Sequence, residues 1–112
     1  MTTVALWQNE QGCVTRLRAS GHAGYAEAGS DIVCAAVSVL MTTCVNALES
    51  AASAKPLLKT DEAKGIIDIW VQNASSRDVQ TVIRTVMCGL NDLSEAYPKH
   101  VQIKVMGGSS SC

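Results

Sequence analysis

A long apolar stretch, Ile32 to Leu48, restricts the fold of this chain more than any other feature. Ser30 and Asp31 stand just before it, and both are residue types that favour a helix N-cap. Since Pro56 cannot continue a helix, we predict one helix over residues 31–52. The stretch is short for a membrane span and contains serine, threonine and asparagine, so a buried helix fits it better. Its apolar positions lie on more than one side, which predicts a central helix that other parts of the protein cover.

Segments that alternate between apolar and polar residues flank this helix and predict strands. The first two strands are joined by a turn ending in Gly12, which is typical of a hairpin. A second amphipathic helix follows, with an apolar stripe that reaches from Val79 to Tyr97, and Pro98 stops it. The predicted strands are residues 2–8, 13–19, 55–60, 65–72 and 100–106.

These elements follow the order ββαββαβ. Two helices and a set of strands with one polar face are the parts of a two-layer sandwich. We therefore predict an α+β fold in which two helices pack on a mostly antiparallel sheet. Residues 1–106 form a single domain in this prediction, and the glycine- and serine-rich residues 107–112 form a flexible tail.

Composition and charge exclude several classes of function. The chain has 112 residues, of which 9 are basic and 10 acidic, and its net charge is −1. A protein that binds RNA or DNA directly would show a basic stripe, so we expect no direct nucleic-acid contact, and no membrane contact either. The N-terminus lacks the charged region of a signal peptide, and 5 irregularly spaced cysteines favour reduced thiols in a cytoplasmic protein. Because there is no CxxC or paired-histidine spacing, we expect no metal and no cofactor.

The residues that offer chemistry lie within residues 20–38. A glycine-rich loop that carries His22 runs into the first turn of the helix, where Cys34 lies. A helix start favours a thiolate, and the pair suits acyl transfer: the thiolate attacks a peptide carbonyl, His22 protonates the leaving amine, and water hydrolyses the thioester. The N–H of Cys34 and a neighbouring amide would hold the oxyanion. The spacing alone leaves other interpretations open, since Cys34 could be a core thiol, His22 a turn residue and Asp31 a plain N-cap.

The same block resembles a known family. Residues 21–26 read Gly-His-Ala-Gly-Tyr-Ala, and residues 31–38, shortly after Gly29, read Asp-Ile-Val-Cys-Ala-Ala-Val-Ser. Both runs are similar to the signature of the ribosomal-processing cysteine protease family, Prp, and the element order and chain length resemble that family as well. The resemblance implies a homodimeric cytoplasmic endopeptidase. Its substrate would be large-subunit ribosomal protein L-twenty-seven, from which it removes a short N-terminal extension.

Carried over by position, the resemblance implies that Cys34 is the nucleophile, His22 the general base and Asp31 a supporting residue that orients the site. The loop glycines form turns and could also act as a lid over the substrate. The tyrosine of the loop either walls a peptide groove or packs on the core. The residues expected to bind substrate are Gly21, Gly24, Tyr25, Gly29 and Ser38.

Two other functions stay open from the sequence. The chain could be a non-catalytic ribosome-assembly binding module whose cysteine and histidine are structural, or a thiol redox sensor. Several residues outside the block have structural interpretations. We expect Cys44 and Cys88 to be core thiols, His100 to be a surface residue at a strand start, and Trp7 and Trp70 to serve packing or a dimer interface.

Overall fold

We describe a computed structural model of the chain, which covers residues 1–27 and 29–107. The element order ββαββαβ and the α+β class are those predicted from the sequence, and the predicted element ends are off by a few residues. Of the predicted flexible tail, residues 108–112 lie outside the described residues. The elements are β1 (Thr2–Gln8), β2 (Val14–Ser20), α1 (Ile32–Ser50), β3 (Leu57–Asp61), β4 (Ile66–Trp70), α2 (Arg77–Ala96) and β5 (Val101–Val105).

The five strands form one mixed sheet in the order β3-β4-β2-β1-β5. Three neighbouring pairs are antiparallel, and β5 runs parallel to β1, so the sheet is mostly antiparallel, as predicted. The two hairpins are joined through β2 and β4, in the register that places Leu17 opposite Ile69. Hairpins are local and therefore readable from the sequence, whereas the pairing of one hairpin with the other depends on how the helices pack.

Both helices pack on the same face of the sheet. Leu17 and Ile69, from the middle of the sheet, are fully buried and join Met41 of α1 with Ile83 and Leu90 of α2 in one core. By length and composition α1 could cross a membrane, a property that the core helix of a soluble protein shares. In this fold its buried stripe packs in the core; the stripe consists of Val33, Val37, Met41, Cys44 and Leu48.

The opposite face of the sheet presents a cation between two tryptophans. The guanidinium of Arg16 lies 4.2 Å from the ring centroid of Trp7 and 4.5 Å from that of Trp70. It also donates two hydrogen bonds, of 2.9 and 2.7 Å, to the carboxylate of Asp68. Both tryptophans are thus half-buried packing residues of the sheet.

Candidate active site

The central residues of the predicted site line one pocket. It has a volume of about 420 Å³, and both His22 and Cys34 line it. Gly21 and Ser38, two of the residues expected to bind substrate, line it as well. The remaining walls come from β2, from α1 and from the hairpin of β3 and β4. The structure therefore brings the loop histidine and the helix cysteine to one cavity.

Asp31 joins the loop to the helix. It is the N-cap of α1, and its Oδ1 accepts hydrogen bonds from the N–H groups of Val33 and Cys34, both at 2.9 Å. Its Oδ2 accepts from the N–H groups of Tyr25 at 3.0 Å and Ala26 at 3.3 Å. Burial raises the pKa of this carboxyl, but the backbone N–H donors of Cys34, Ala26 and Tyr25 outweigh it and hold the pKa below the usual range. An ionised Asp31 thus fixes both sides of the pocket.

Cys34 is half-buried and carries a free thiol. Its Sγ accepts a hydrogen bond of 3.1 Å from the N–H of Ala23. Its own N–H donates to Asp31, so the expectation that this N–H holds an oxyanion is wrong: the capping carboxylate already occupies it. The amide of Ala23 is the donor that faces the sulfur.

His22 is exposed and is oriented by its neighbours. Its Nε2 lies 3.3 Å from the carbonyl oxygen of Ala63, in the turn between β3 and β4. Because a carbonyl only accepts, Nε2 carries the proton and Nδ1 is the ring nitrogen able to accept one. The carbonyl oxygen of His22 accepts a hydrogen bond of 2.8 Å from the amino group of Met1. Among the described residues no hydrogen bond joins the imidazole to Cys34, which it approaches only across the pocket.

Two glycines allow the backbone to pass close to this histidine. Gly21 has φ +86°, and a Cβ there would lie 2.7 Å from the carbonyl oxygen of Met1. Gly65 has φ +64°, and a Cβ there would lie 2.9 Å from the oxygen of Gly21 and 3.1 Å from Cε1 of His22. Positive φ and lack of space together exclude any side chain at both positions.

The other residues expected to bind substrate shape the loop. Gly24 and Gly29 have φ of +70° and +87° with open space around them, and neither lines the pocket. Tyr25 is 45% exposed and turns its ring away from the pocket lining to meet Tyr97 and His100 edge-on, with centroids 5.4 and 5.5 Å apart. The ring of Tyr25 thus contacts two other rings of the protein, and its role in a peptide groove stays a prediction.

His100 contacts the loop that carries His22, which the sequence analysis did not predict. It was expected at the surface, but it is half-buried, and its Nδ1 lies 3.0 Å from the carbonyl oxygen of Ala23. The two residues are 77 positions apart, so no local pattern reveals the contact.

The other cysteines are separate from the pocket. Cys44 is buried in the core, as expected, and burial raises the pKa of its thiol to about 11. Cys88 is exposed, so the prediction of a core thiol is wrong there; its position on α2 faces away from the sheet. Cys13 is disulfide-bonded, which differs from the expected reduced thiols because sequence spacing does not show which sulfurs meet. Within residues 1–27 and 29–107, no group of three or more His, Cys, Asp or Glu residues could hold a metal ion.

Comparison with known proteins identifies the family of the chain. The family model described as cysteine protease Prp matches residues 1–102. The ribosomal processing cysteine protease Prp of Staphylococcus aureus strain Mu50 is 30% identical over 103 residues, which is 92% of this chain and 97% of the relative. A sequence with the same name from S. aureus strain NCTC 8325 matches equally well.

Solved structures match over nearly the whole chain. The S. aureus protease Prp in complex with a covalently linked product peptide superposes with a TM-score of 0.89 at 30% identity, covering 94% of this chain and 99% of that one. The same protease with a substrate peptide gives a TM-score of 0.84 at 28% identity, with coverage of 94% and 99%. SMU.848 of Streptococcus mutans gives a TM-score of 0.84 at 35% identity, with coverage of 95% and 94%. This chain therefore belongs to the Prp family of cysteine proteases.

Proposed function

We propose that this chain is an endopeptidase that removes the short N-terminal extension of large-subunit ribosomal protein L-twenty-seven, with Cys34 and His22 as its catalytic pair. The observation that carries the proposal is the single pocket lined by both side chains. A related protease has been crystallised with a substrate peptide and with a covalently linked product peptide, which supports a peptide substrate and a covalent step.

The proposed reaction has two halves. In the first, Nδ1 of His22 takes the thiol proton, the Cys34 sulfur attacks the peptide carbonyl, and the imidazolium returns the proton to the leaving amine. The products of this half are a thioester on Cys34 and a released amine. In the second half, His22 takes a proton from water, the hydroxide attacks the thioester, and the sulfur leaves and regains a proton. The hydrogen bond from Nε2 to Ala63 leaves Nδ1 free to take these protons.

The supporting roles follow from the contacts. Asp31 is a positioning residue, because it binds N–H groups of both the loop and the helix and does not line the pocket. Gly21 and Ser38 line the pocket and are proposed to contact the peptide. Gly24, Gly29 and Tyr25 are proposed to set the shape of the loop that closes over it.

The proposed assembly is a homodimer in the cytoplasm. Its catalytic domain spans residues 1–106, with residues 107–112 as a tail. Sedimentation at several protein concentrations measures the oligomeric state, and a monomer throughout would contradict the dimer without touching the proposal for the catalytic pair.

The direct test follows cleavage of a synthetic peptide that spans the N-terminal extension. Cys34→Ala and His22→Ala are each expected to lower kcat/KM by at least about three orders of magnitude, because each removes a reacting group. Cys88→Ser is the matched control, since it removes an exposed free thiol of α2 and is expected to cleave at the parent rate. If either pocket variant cuts as fast as the parent, the proposed catalytic pair is wrong.

A further inference from the structure

The corner between α2 and β5 holds the loop that carries the histidine. His100, in the turn before β5, has its Nδ1 3.0 Å from the carbonyl oxygen of Ala23, and its ring meets that of Tyr25 edge-on. Tyr97, the C-cap of α2, meets Tyr25 in the same way. The corner is itself fixed to the sheet, because the carbonyl oxygen of His100 accepts a hydrogen bond of 2.8 Å from the N–H of Thr2.

Ala23 is the residue through which this corner reaches the sulfur. Its side chain is 1% exposed, and its N–H donates to Sγ of Cys34 at 3.1 Å. The next residue, Gly24, has φ +70°, and a Cβ placed there would meet no atom within 4 Å. The N–H and the C=O of Ala23 belong to two different planar peptide units that meet at its Cα, so one hydrogen bond on each unit holds the residue from both sides.

We propose that His100 is a positioning residue for peptide cleavage: its hydrogen bond to the Ala23 carbonyl holds the Ala23 N–H against the Cys34 sulfur. This inference rests on the proposed function of Cys34 as the nucleophile. A carbonyl only accepts, so Nδ1 of His100 carries the proton, as it does in the Nδ1–H tautomer and in the imidazolium alike. An N–H donor at the sulfur favours its anionic form, since hydrogen bonds to charged acceptors are the stronger ones.

Two substitutions of equal shape separate this role from simple packing. His100→Asn keeps an N–H donor at the place of Nδ1, whereas His100→Leu has the same branching without a donor, and both remove the ring that meets Tyr25. Each variant is tested for iodoacetamide labelling of Cys34, followed by mass spectrometry at that residue because Cys88 also reacts. Thermal unfolding and the kcat and KM of peptide cleavage are measured alongside.

We expect His100→Leu to label Cys34 about 3- to 10-fold more slowly than the parent at pH 7, the range that corresponds to losing one hydrogen bond. Its kcat should fall by a similar factor with KM unchanged. His100→Asn should stay within about twofold of the parent in both assays.

The proposal is overturned if folded His100→Leu labels Cys34 like the parent at pH 7, or if the Asn and Leu variants lose the same amount. Should His100→Leu not fold, a slow rate in folded His100→Asn is enough to reject the proposal. The labelling rates do not depend on the substrate. If the parent does not cleave the peptide, the proposed function fails, while labelling still decides the role of His100.

Discussion

The two sides of the pocket are held in different ways. Cys34 lies in the first turn of α1 and is fixed by Asp31, three residues earlier. His22 lies in an irregular loop, and its contacts come from Met1 and from Ala63, 21 and 41 positions away. The proposed nucleophile is therefore positioned by local structure and the histidine by tertiary structure. Asp31 is where the two sides meet, because its second oxygen binds the loop.

The largest loss of stability is expected from Asp31→Ala, which removes the contacts that hold both the loop and the start of α1. The change leaves four backbone N–H groups without their acceptor, and we expect the free energy of unfolding to fall by about 3 kcal/mol. The kcat/KM of peptide cleavage should fall at least about tenfold, since loop and helix lose their shared anchor. Urea unfolding and cleavage kinetics measure the two losses.

The N-cap of the other helix is the matched control for that variant. Ser76 caps α2 through one hydrogen bond, to the N–H of Val79 at 3.3 Å, and it lies away from the pocket. Ser76→Ala should lower the free energy of unfolding by about 1 kcal/mol and leave kcat/KM at the parent value. Equal losses of kcat/KM in Ser76→Ala and Asp31→Ala would show that the loss of a helix cap alone explains the effect of Asp31→Ala.

The histidine side alone is disturbed by Gly65→Ala. A methyl group there would lie 2.9 Å from the oxygen of Gly21 and 3.1 Å from Cε1 of His22, on a backbone with positive φ. We expect about 2 kcal/mol of destabilisation and a fall in kcat/KM of about tenfold, because the imidazole must shift.

The control for backbone strain is Gly107→Ala. Gly107 also has positive φ, but open space surrounds it and it lies beyond β5, far along the chain from the loop. Gly107→Ala should lower the free energy of unfolding through backbone strain and leave kcat/KM at the parent value. If Gly65→Ala cleaves normally, the close approach to His22 does not orient the ring.

The contrast between local and tertiary structure also explains how much of the fold and of the candidate site could be predicted from the sequence. The order of elements follows from apolar periodicity, and Asp31 and Cys34 follow from the signals of a helix start, which are local. The bond from His100 to Ala23 joins residues 77 positions apart, and that from His22 to Ala63 joins residues 41 positions apart, so both exist only once the sheet has assembled. For the same physical reason the strand order could not be read.

A smaller effect separates the charge of Asp31 from its shape. Its pKa is lowered in the fold, so its carboxylate contributes stability that is present above the ordinary pKa of an aspartate and is lost as the pH falls through the lowered one. Asp31→Asn keeps one acceptor oxygen but cannot ionise, so it should be less stable than the parent at pH 7. The difference between the two proteins should shrink as the pH falls below 4, measured by urea unfolding at each pH. A difference that is constant with pH would contradict an ionised cap.

The last prediction concerns Cys44, the second cysteine of α1. It tests whether a thiol on the core side of that helix is less reactive than one on the pocket side. Burial raises the pKa of Cys44 to about 11, so at pH 8 this thiol is neutral as well as enclosed, and iodoacetamide should leave it unlabelled in the folded protein. Cys88, exposed on α2, supplies the internal reference for an accessible thiol. In urea Cys34, Cys44 and Cys88 should label alike, because unfolding removes both the burial and the N–H donor of Ala23. Labelling of Cys44 at the rate of Cys88 without denaturant would mean that α1 opens as a whole. The helix that carries Cys34 would then be a mobile part of the pocket.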